Sequence, residues 1–305
     1  MSVSRERLGQ LFILVGPGGV GKNALMNELI QEMNDLRQLP TATTRPIRPG
    51  EKEGREHQFV NLSTFEKMIA EGALIEYQEV HPGKFYGVPR ATVEQAIAER
   101  QGLIADIEVL GTKIIRSQYP HNSVSIFIAP PSIASLEQRL RGRQASPEDI
   151  RDRINRLPME MLYAPLSDHL IVNDDFDAAL NDMHSIVDAV RSGRDVATDH
   201  IPTQHYEAQV TIKHADEILY TDVGDTVLKS SFQRQSSSQV VTQLLEDALN
   251  IDVDQAYLQY VRTGHHSALE IHYDADNHDY RVTYHYTYIM PVKSTPAGFT
   301  WRKQN

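Results

Sequence analysis

A glycine-rich segment near the N-terminus has the residue types and the spacing of a phosphate-binding loop. Lys22 directly follows a run framed by Gly16, Gly18, Gly19 and Gly21. Glycines let the backbone wrap around phosphate oxygens, so that amide N–H groups and a helix N-terminus face the anion. The lysine then reaches the outer phosphates of a nucleoside triphosphate. The segment predicts a site for the phosphates of ATP, and the alternative is an ordinary glycine-rich turn with a surface lysine.

One position in this loop departs from the usual pattern, in which a Ser or Thr hydroxyl after the lysine holds Mg²⁺. The residue here is Asn23. Because Mg²⁺ prefers oxygen ligands and keeps several waters, an amide oxygen can contact it directly or through a water. We expect Val20, Asn23 and Ala24 to join the glycines and Lys22 at the ATP phosphates, with an altered contact to the metal.

A second set of anion-binding residues follows in the segment 41–51. Arg45 and Arg48 lie three residues apart beside threonine hydroxyls. Guanidinium groups at this spacing predict a compact clamp for an anionic ligand.

The elements that must position these residues alternate between strand-like and helix-like segments over about the first 190 residues. This alternation predicts an α/β fold, a three-layer P-loop domain with a mostly parallel sheet covered by helices. Apolar runs typical of buried strands occur at 11–15, 103–111, 123–130 and 169–174. Helical spacing occurs at 24–33, at 63–72, in the arginine-rich stretches after residue 131, and in a closing helix before Gly193. Ser63 and Glu66 form a capping-box pattern that predicts the start of the second helix.

The sequence pattern changes after residue 193. We predict a P-loop domain over 1–193, a polar linker over 194–205 and a smaller α+β domain over 206–305. The C-terminal part has strands of period two and one amphipathic helix at 236–250 that begins with serines. The cluster at 274–279 predicts a turn between the last two strands.

Tyrosines alternate along the last predicted strand, from Tyr280 to Tyr288. Such a face is typical of a sheet packed against a helix, here the helix at 236–250. The alternative is an aromatic binding surface or a dimer interface. The nearby histidines match no tight metal-ligand spacing: His265, His266, His272, His278 and His285.

Composition limits the classes of function. The formal net charge of -11 argues against broad nucleic-acid binding. The absence of cysteine excludes disulfides, thiol catalysis and cysteine-ligated metals. The polar N-terminus lacks the apolar stretch of a signal peptide, and no apolar run reaches the ~20 residues that span a bilayer. We expect a cytoplasmic protein with no membrane partner.

In chain order, several motifs together resemble the guanylate kinase family. They cover about residues 10–190, namely the phosphate loop, TTRPIRPGE, FYGVPR, DIEVLG, RLRGR and IVNDD. The resemblance implies a nucleoside-monophosphate kinase of purine nucleotide metabolism that uses ATP with Mg²⁺ to convert GMP to GDP. It covers none of the C-terminal domain, which we expect to dimerise the enzyme, sense a ligand or recruit a partner.

The resemblance also implies roles for individual residues. Arg45, Arg48 and Tyr86 would hold the phosphate of the acceptor, while Thr41 and Glu76 would face its guanine base. Asp106 and Glu108 would order Mg²⁺ with its waters and contact the acceptor, and Asn173 would contact the adenine of ATP. The arginines of a lid would close on the transferring phosphoryl group, namely Arg139, Arg143 and Arg153.

Four positions depart from the family pattern. His57 replaces a tyrosine at the phosphate clamp, where it would donate a hydrogen bond or add charge when protonated. Val88 replaces a Ser or Thr near the base, and Glu108 is one methylene longer than the usual aspartate. Together with Asn23 they leave two alternatives open: a kinase of the same fold with another phosphorylated acceptor, or a weakly catalytic binding module.

Overall fold

The structure, a computed structural model of the 305-residue chain, describes residues 9–197, 199, 201–215, 217–221, 227–249, 253, 258–260, 269–290, 295–296 and 299–303. Contacts between Cα atoms divide the chain into two compact units. Unit 1 comprises 1–129 and 168–201, and unit 2 comprises 130–167 and 202–305. The domain boundaries expected from the sequence stay a prediction; the contact-based units differ from them by placing 130–167 with the C-terminal part.

The strands of the described residues are β1 (Gln10–Val15), β2 (Leu36–Gln38), β3 (Thr41–Thr43), β4 (His57–Phe59), β5 (Leu74–His81), β6 (Lys84–Pro89), β7 (Gly102–Asp106), β8 (Ser123–Ala129), β9 (His169–Val172), β10 (Thr203–His214), β11 (Glu217–Thr221), β12 (Val227–Phe232), β13 (Leu258–Tyr260), β14 (Leu269–Asp274), β15 (Asp279–Ile289) and β16 (Phe299–Lys303). The helices are α1 (Lys22–Glu32), α2 (Leu62–Ala70), α3 (Arg90–Ala98), α4 (Val109–Gln118), α5 (Ile133–Gly142), α6 (Pro147–Met161), α7 (Phe176–Arg191) and α8 (Ser237–Leu249), with a short 3₁₀ turn at Ala164–Leu166.

The central sheet of unit 1 is parallel throughout, in the order β2-β7-β1-β8-β9. Every residue of β1 is buried, as expected for a strand covered on both faces. The predicted α/β fold with a mostly parallel sheet is therefore confirmed.

Parallel pairing brings the phosphate loop and the acidic strand end to one edge of this sheet. Leu14 of β1 pairs with Asp106, the last residue of β7. The loop from Gly16 to Gly21 starts immediately beyond β1. The strand predicted over 103–111 is wrong at its C-terminal end, because β7 stops at Asp106 and α4 begins at Val109.

A second, four-stranded sheet of unit 1 carries the other predicted site residues. Its order is β4-β3-β6-β5. Ala42, Phe65 and Leu74 form a small core beneath it. The capping box predicted for the helix over this core is wrong, because α2 begins at Leu62 and its N-cap is Asn61, whose side chain accepts from the Thr64 N–H.

Unit 2 contains a seven-stranded sheet centred on β10 and β15, which pair in parallel. β14 and β15 form an antiparallel hairpin around a turn at 275–278, inside the cluster predicted at 274–279, but they are not the last two strands because β16 follows. Tyr280, Tyr284, Tyr286 and Tyr288 of β15 are all buried, and the hydroxyl of Tyr286 lies 2.6 Å from the Ser237 Oγ of α8. The packed sheet face is therefore confirmed, and the alternative of an exposed aromatic surface is wrong for these tyrosines.

None of the helices in the described part of the chain combines the length and the apolar character that a bilayer crossing requires. The described residues also contain no group of three or more His, Asp or Glu side chains suited to hold a metal ion. His265 and His266 lie outside the described residues.

Candidate functional site

The phosphate loop joins β1 to α1 through glycines in the left-handed region. Gly16 has φ 136° and Gly21, the N-cap of α1, has φ 110°. A Cβ at Gly16 would lie 2.3 Å from the carbonyl oxygen of Ile128, so only glycine fits this turn. Because the first N–H groups of a helix have no intrahelical acceptor, those of α1 are available to an anion held by the loop.

Lys22 lies against the loop with its side chain 11% exposed. Its Nζ donates to the carbonyl oxygens of Gly16, at 2.6 Å, and Pro17, at 3.2 Å. The same atom lies 3.6 Å from Oδ1 of Asp106. The ammonium is therefore held at the loop, within reach of phosphate oxygens and of the acidic strand end.

The side chain of Asn173 is bonded to the backbone of the phosphate loop. Its side chain is buried, and Nδ2 donates to the Val20 carbonyl at 2.8 Å. A Cβ at Gly21 would lie 2.4 Å from this Nδ2. Asn173 thus contacts the backbone of the loop, and its predicted contact with adenine stays a prediction.

Most of the predicted acceptor side and one residue of the predicted ATP side line a cavity of about 460 Å³ in unit 1, whereas Lys22 and the glycines of the loop are not part of its lining. Asn23, from the helix that follows the phosphate loop, lies in its wall. The predicted acceptor residues that share the cavity are Thr41, Arg45, Arg48, His57, Glu76, Tyr86, Asp106 and Glu108. Val88 does not belong to its lining; its side chain is fully buried in unit 1.

Oxygen ligands for a metal ion come from the same wall. Asn23, Asp106 and Glu108 line the cavity, and 34% of the Asp106 side chain is exposed to it. Carboxylate and amide oxygens suit a hard cation such as Mg²⁺. Desolvation by the surrounding protein raises the pKa of Asp106, while the nearby Lys22 ammonium acts in the opposite direction. The donor set therefore fits the expected metal.

Arg45 is the most constrained residue of the phosphate clamp. Its guanidinium is buried and bonded to both carboxylate oxygens of Glu51, at 2.7 and 2.6 Å. Its Nε donates to the Tyr86 hydroxyl at 2.9 Å, and Nη1 also donates to the Pro46 carbonyl. These contacts use four of the five N–H groups of an arginine. Arg48, in contrast, has an exposed side chain.

The pairing with Arg45 fixes the charge state of Glu51. The hydrogen bonds from the guanidinium lower the pKa of Glu51 to about 2, and that contact in turn raises the pKa of Arg45. Arg45 and Glu51 therefore form a neutralised pair at pH 7, and Arg48 adds a positive charge to the lining while Glu56 adds a negative one.

His57 lies beside this pair as a neutral ring. Its Nδ1 is 2.7 Å from the Thr41 hydroxyl, and its ring meets Tyr86 edge to face. Burial, followed by the positive charge of Arg45, lowers the pKa of His57 below its usual 6.5. The structure therefore favours the hydrogen-bonding role expected of His57 over the added charge.

Glu76 is a buried carboxylate that points into the cavity from β5. Burial raises its pKa to about 7, a weak contact from Gln78 Nε2 at 3.5 Å opposes this, and the negative charge of Glu108 adds to it. The carboxylate also lies against the first turn of α4, where Gly111 leaves it space. The partial positive charge of a helix N-terminus favours the ionised form there.

The predicted lid arginines belong to unit 2. Arg139 lies in α5 and Arg153 in α6, while Arg143 is the C-cap of α5. Arg143 and Arg153 are exposed and Arg139 is half-buried. Their contact with a transferring phosphoryl group stays a prediction.

Sequence reasoning missed three residues that shape the cavity. Glu51 pairs with Arg45, Gln78 contacts Glu76, and Gly111 makes room for the Glu76 carboxylate. Glu51 was visible in the sequence as the acidic residue that ends the segment 41–51. Gln78 lies two residues from Glu76 on β5, whereas no local pattern identifies Gly111, because it acts through a residue on another element.

Comparisons with known proteins show which family and which chains this protein is similar to. The sequence model of the family described as "Guanylate kinase" matches residues 8–190. The chain is similar to the guanylate kinase of Bradyrhizobium diazoefficiens, with 41% identity over 62% of this chain and 87% of that protein. It is also similar to the guanylate kinase of a Nostoc species, with 45% identity over 56% of this chain and 86% of that protein. A crystal structure of guanylate kinase from Anaplasma phagocytophilum is 28% identical, with a TM-score of 0.49 over 61% of this chain and 88% of that one.

Proposed function

The chain belongs to the guanylate kinase family, and we propose that it transfers the terminal phosphoryl group of ATP to GMP, which yields ADP and GDP. The family match extends over 8–190 and its relatives are about 40% identical. The observation that carries the proposal is the shared cavity. It joins Asn23, next to the phosphate-loop lysine, to the arginine clamp and to the buried Glu76.

Guanine recognition falls to Glu76. A carboxylate accepts hydrogen bonds, and guanine presents an N1–H and an exocyclic amine side by side as donors. The buried position of Glu76 makes an unmatched base costly, because the contact with Gln78 at 3.5 Å is weak compensation for the buried carboxylate. Inosine, which lacks the exocyclic amine, and adenine, which lacks the N1–H, are disfavoured on this ground.

The acceptor phosphate is held at the other end of the cavity. The Tyr86 hydroxyl accepts from Arg45 Nε and keeps its own proton for a phosphate oxygen. Arg45 holds that hydroxyl in place, while the exposed Arg48 supplies the charge. The pair of Arg45 with Glu51 thus serves orientation more than charge.

The ATP phosphates lie at the loop, where α1 directs its first N–H groups and Lys22 adds a positive charge. Bound Mg²⁺ neutralises charge on the phosphates, and Asn23 and Asp106 are the residues that would hold it, directly or through water. Phosphoryl transfer depends chiefly on alignment and charge neutralisation, so a separate general base is unnecessary. Arg139, Arg143 and Arg153 supply further charge to the transferring group.

A coupled assay tests the proposal. Purified protein is incubated with ATP, Mg²⁺ and one of GMP, IMP, AMP, UMP or a sugar phosphate, and diphosphate product is measured. We expect turnover of GMP above all other acceptors, and loss of turnover with retained folding in Lys22→Ala. Preference for another acceptor, or GMP binding with no turnover, would favour one of the two alternatives raised by Asn23, His57 and Val88.

We further propose that the C-terminal region mediates homodimerisation. The support is that this region lies outside the matched residues and that none of its described residues lines the cavity. Sizing with light scattering tests this, and a monomer at assay concentration would contradict it.

A further inference from the structure

The segment 130–167, here called the arginine segment, is built into the same compact unit as the C-terminal sheet. Its two ends are buried, with Pro130 at the start and Met161, Ala164 and Pro165 near the end. Its middle, the turn between α5 and α6, is exposed. The segment is therefore buried near both ends and exposed at the turn that contains Arg143.

Two tyrosines of β15 hold these two ends. The Tyr280 hydroxyl donates to the Pro130 carbonyl at 3.3 Å, and the Tyr284 hydroxyl donates to the Met161 carbonyl at 2.7 Å. Both tyrosine side chains are fully buried. Met161 is the last residue of α6, where helix carbonyls have no intrahelical donor, so the tyrosine satisfies a group that would otherwise stay unpaired.

The spacing of the two tyrosines suits this task. Residues four apart on a strand share a face and lie about 13 Å apart, so one strand presents two donors to two separate points. Tyr284 also packs against Phe232 of β12, with ring centroids 5.9 Å apart. Each hydroxyl thus connects the interior of the C-terminal sheet to one end of the arginine segment.

We propose that Tyr280 and Tyr284 are positioning residues, through which the C-terminal sheet sets the conformation of the arginine segment and hence the rate of phosphoryl transfer. The proposal rests on the proposed function, which gives Arg139, Arg143 and Arg153 their role. It assigns the C-terminal region, outside the family match, a part in catalysis that acts through the arginine segment.

Tyr286 provides a matched control on the same strand. It is also a buried tyrosine with a bonded hydroxyl, but its partner is Ser237 of α8. Tyr286→Phe therefore removes the same chemical group from the same sheet and leaves both ends of the arginine segment bonded. A general loss of stability affects all the variants alike, whereas a loss of positioning affects only those at 280 and 284.

The experiment compares Tyr284→Phe, the double variant with Tyr280→Phe, and Tyr286→Phe in the full chain. Steady-state kinetics give kcat and the KM for GMP, and hydrogen exchange is followed by mass spectrometry. Because an unpaired buried carbonyl is costly, we expect kcat to fall about five- to tenfold in Tyr284→Phe and further in the double variant. The KM for GMP stays within about twofold, since the acceptor cavity is untouched. Exchange accelerates in 130–167 for these variants and in α8 for Tyr286→Phe.

Unchanged kcat in the double variant would overturn the proposal, as would an equal fall in Tyr286→Phe. Faster exchange in 130–167 without a change in kcat would also overturn it, because the segment would then be loosened without effect on transfer. Absence of GMP turnover in the unmodified protein would instead refute the proposed function. The exchange pattern would then still decide whether the two tyrosines hold the segment.

Discussion

The carboxylate of Glu76 occupies the space that a side chain at Gly111 would need. A Cβ built on Gly111 would lie 2.6 Å from Oε2 and 2.7 Å from Cδ of Glu76. These two residues come from β5 and α4, so the helix sets the depth at which the carboxylate enters the cavity. The position of the carboxylate that we propose for base recognition therefore depends on a glycine outside the cavity lining.

Gly111→Ala tests this relationship. The added methyl group pushes Glu76 out of place, and we expect the KM for GMP to rise at least about tenfold, a loss of roughly 1.4 kcal/mol. The KM for ATP stays unchanged, because the added methyl group meets Glu76 and Ile107 and no residue of the phosphate loop is among its nearest neighbours. Alanine improves helix propensity by about 1 kcal/mol over glycine, so a failure to gain stability would itself report the clash. A variant with unchanged GMP kinetics and higher stability would contradict the prediction.

Glu76→Gln is expected to stabilise the protein at alkaline pH while impairing GMP use. The folded pKa of about 7 lies above the unfolded value of 4.5, so the native state holds a proton that the unfolded chain releases. The contribution of Glu76 to the free energy of unfolding is therefore fully present below pH 4.5. It is lost as pH rises through 7, which lowers the free energy of unfolding by about 1 to 3 kcal/mol. Urea unfolding of both proteins at pH 5 and pH 8 measures the difference. An equal difference at the two pH values would contradict this origin.

Base binding should depend on the ionisation of the same carboxylate. Guanine donors need the ionised form of Glu76, so a pKa of about 7 predicts weaker binding at lower pH. We expect the affinity for guanosine to rise about tenfold from pH 6 to pH 8. Guanosine is the probe because the phosphate of GMP titrates in the same range. Calorimetry measures the affinity, and Glu76→Gln is the control, since any slope that remains in it belongs to other groups.

Asn23→Ser restores a hydroxyl at the position after the phosphate-loop lysine. We expect kcat to rise several-fold, on the order of 1 kcal/mol in barrier, and half-maximal activity to require less Mg²⁺. Asn27→Ser is the matched control, because Asn27 lies one turn later on α1 and lines the same cavity. An unchanged Mg²⁺ dependence in Asn23→Ser would mean that the amide serves the metal adequately or that Asp106 holds it alone.

The sequence by itself determined those elements that are specified by residues adjacent in the chain. Glycine spacing before Lys22 predicts the phosphate loop, because a tight turn and a helix N-terminus depend on adjacent residues. Apolar runs predict the buried strands of the parallel sheet for the same reason. The three-residue strands β3 and β4 carry too short a pattern for such a prediction, although they position Thr41 and His57.

Only the tertiary structure decided the states of the side chains in the site. Burial raises the pKa of Glu76, and Gly111, 35 positions further along the chain, gives its carboxylate room. Arg45 was predicted to hold a phosphate, and in the structure its guanidinium is bonded to Glu51 and Tyr86. The arginine segment likewise joined the C-terminal sheet through Tyr280 and Tyr284, more than 100 residues away in sequence. Desolvation and hydrogen bonding depend on which residues meet in space, and no local pattern contains that information.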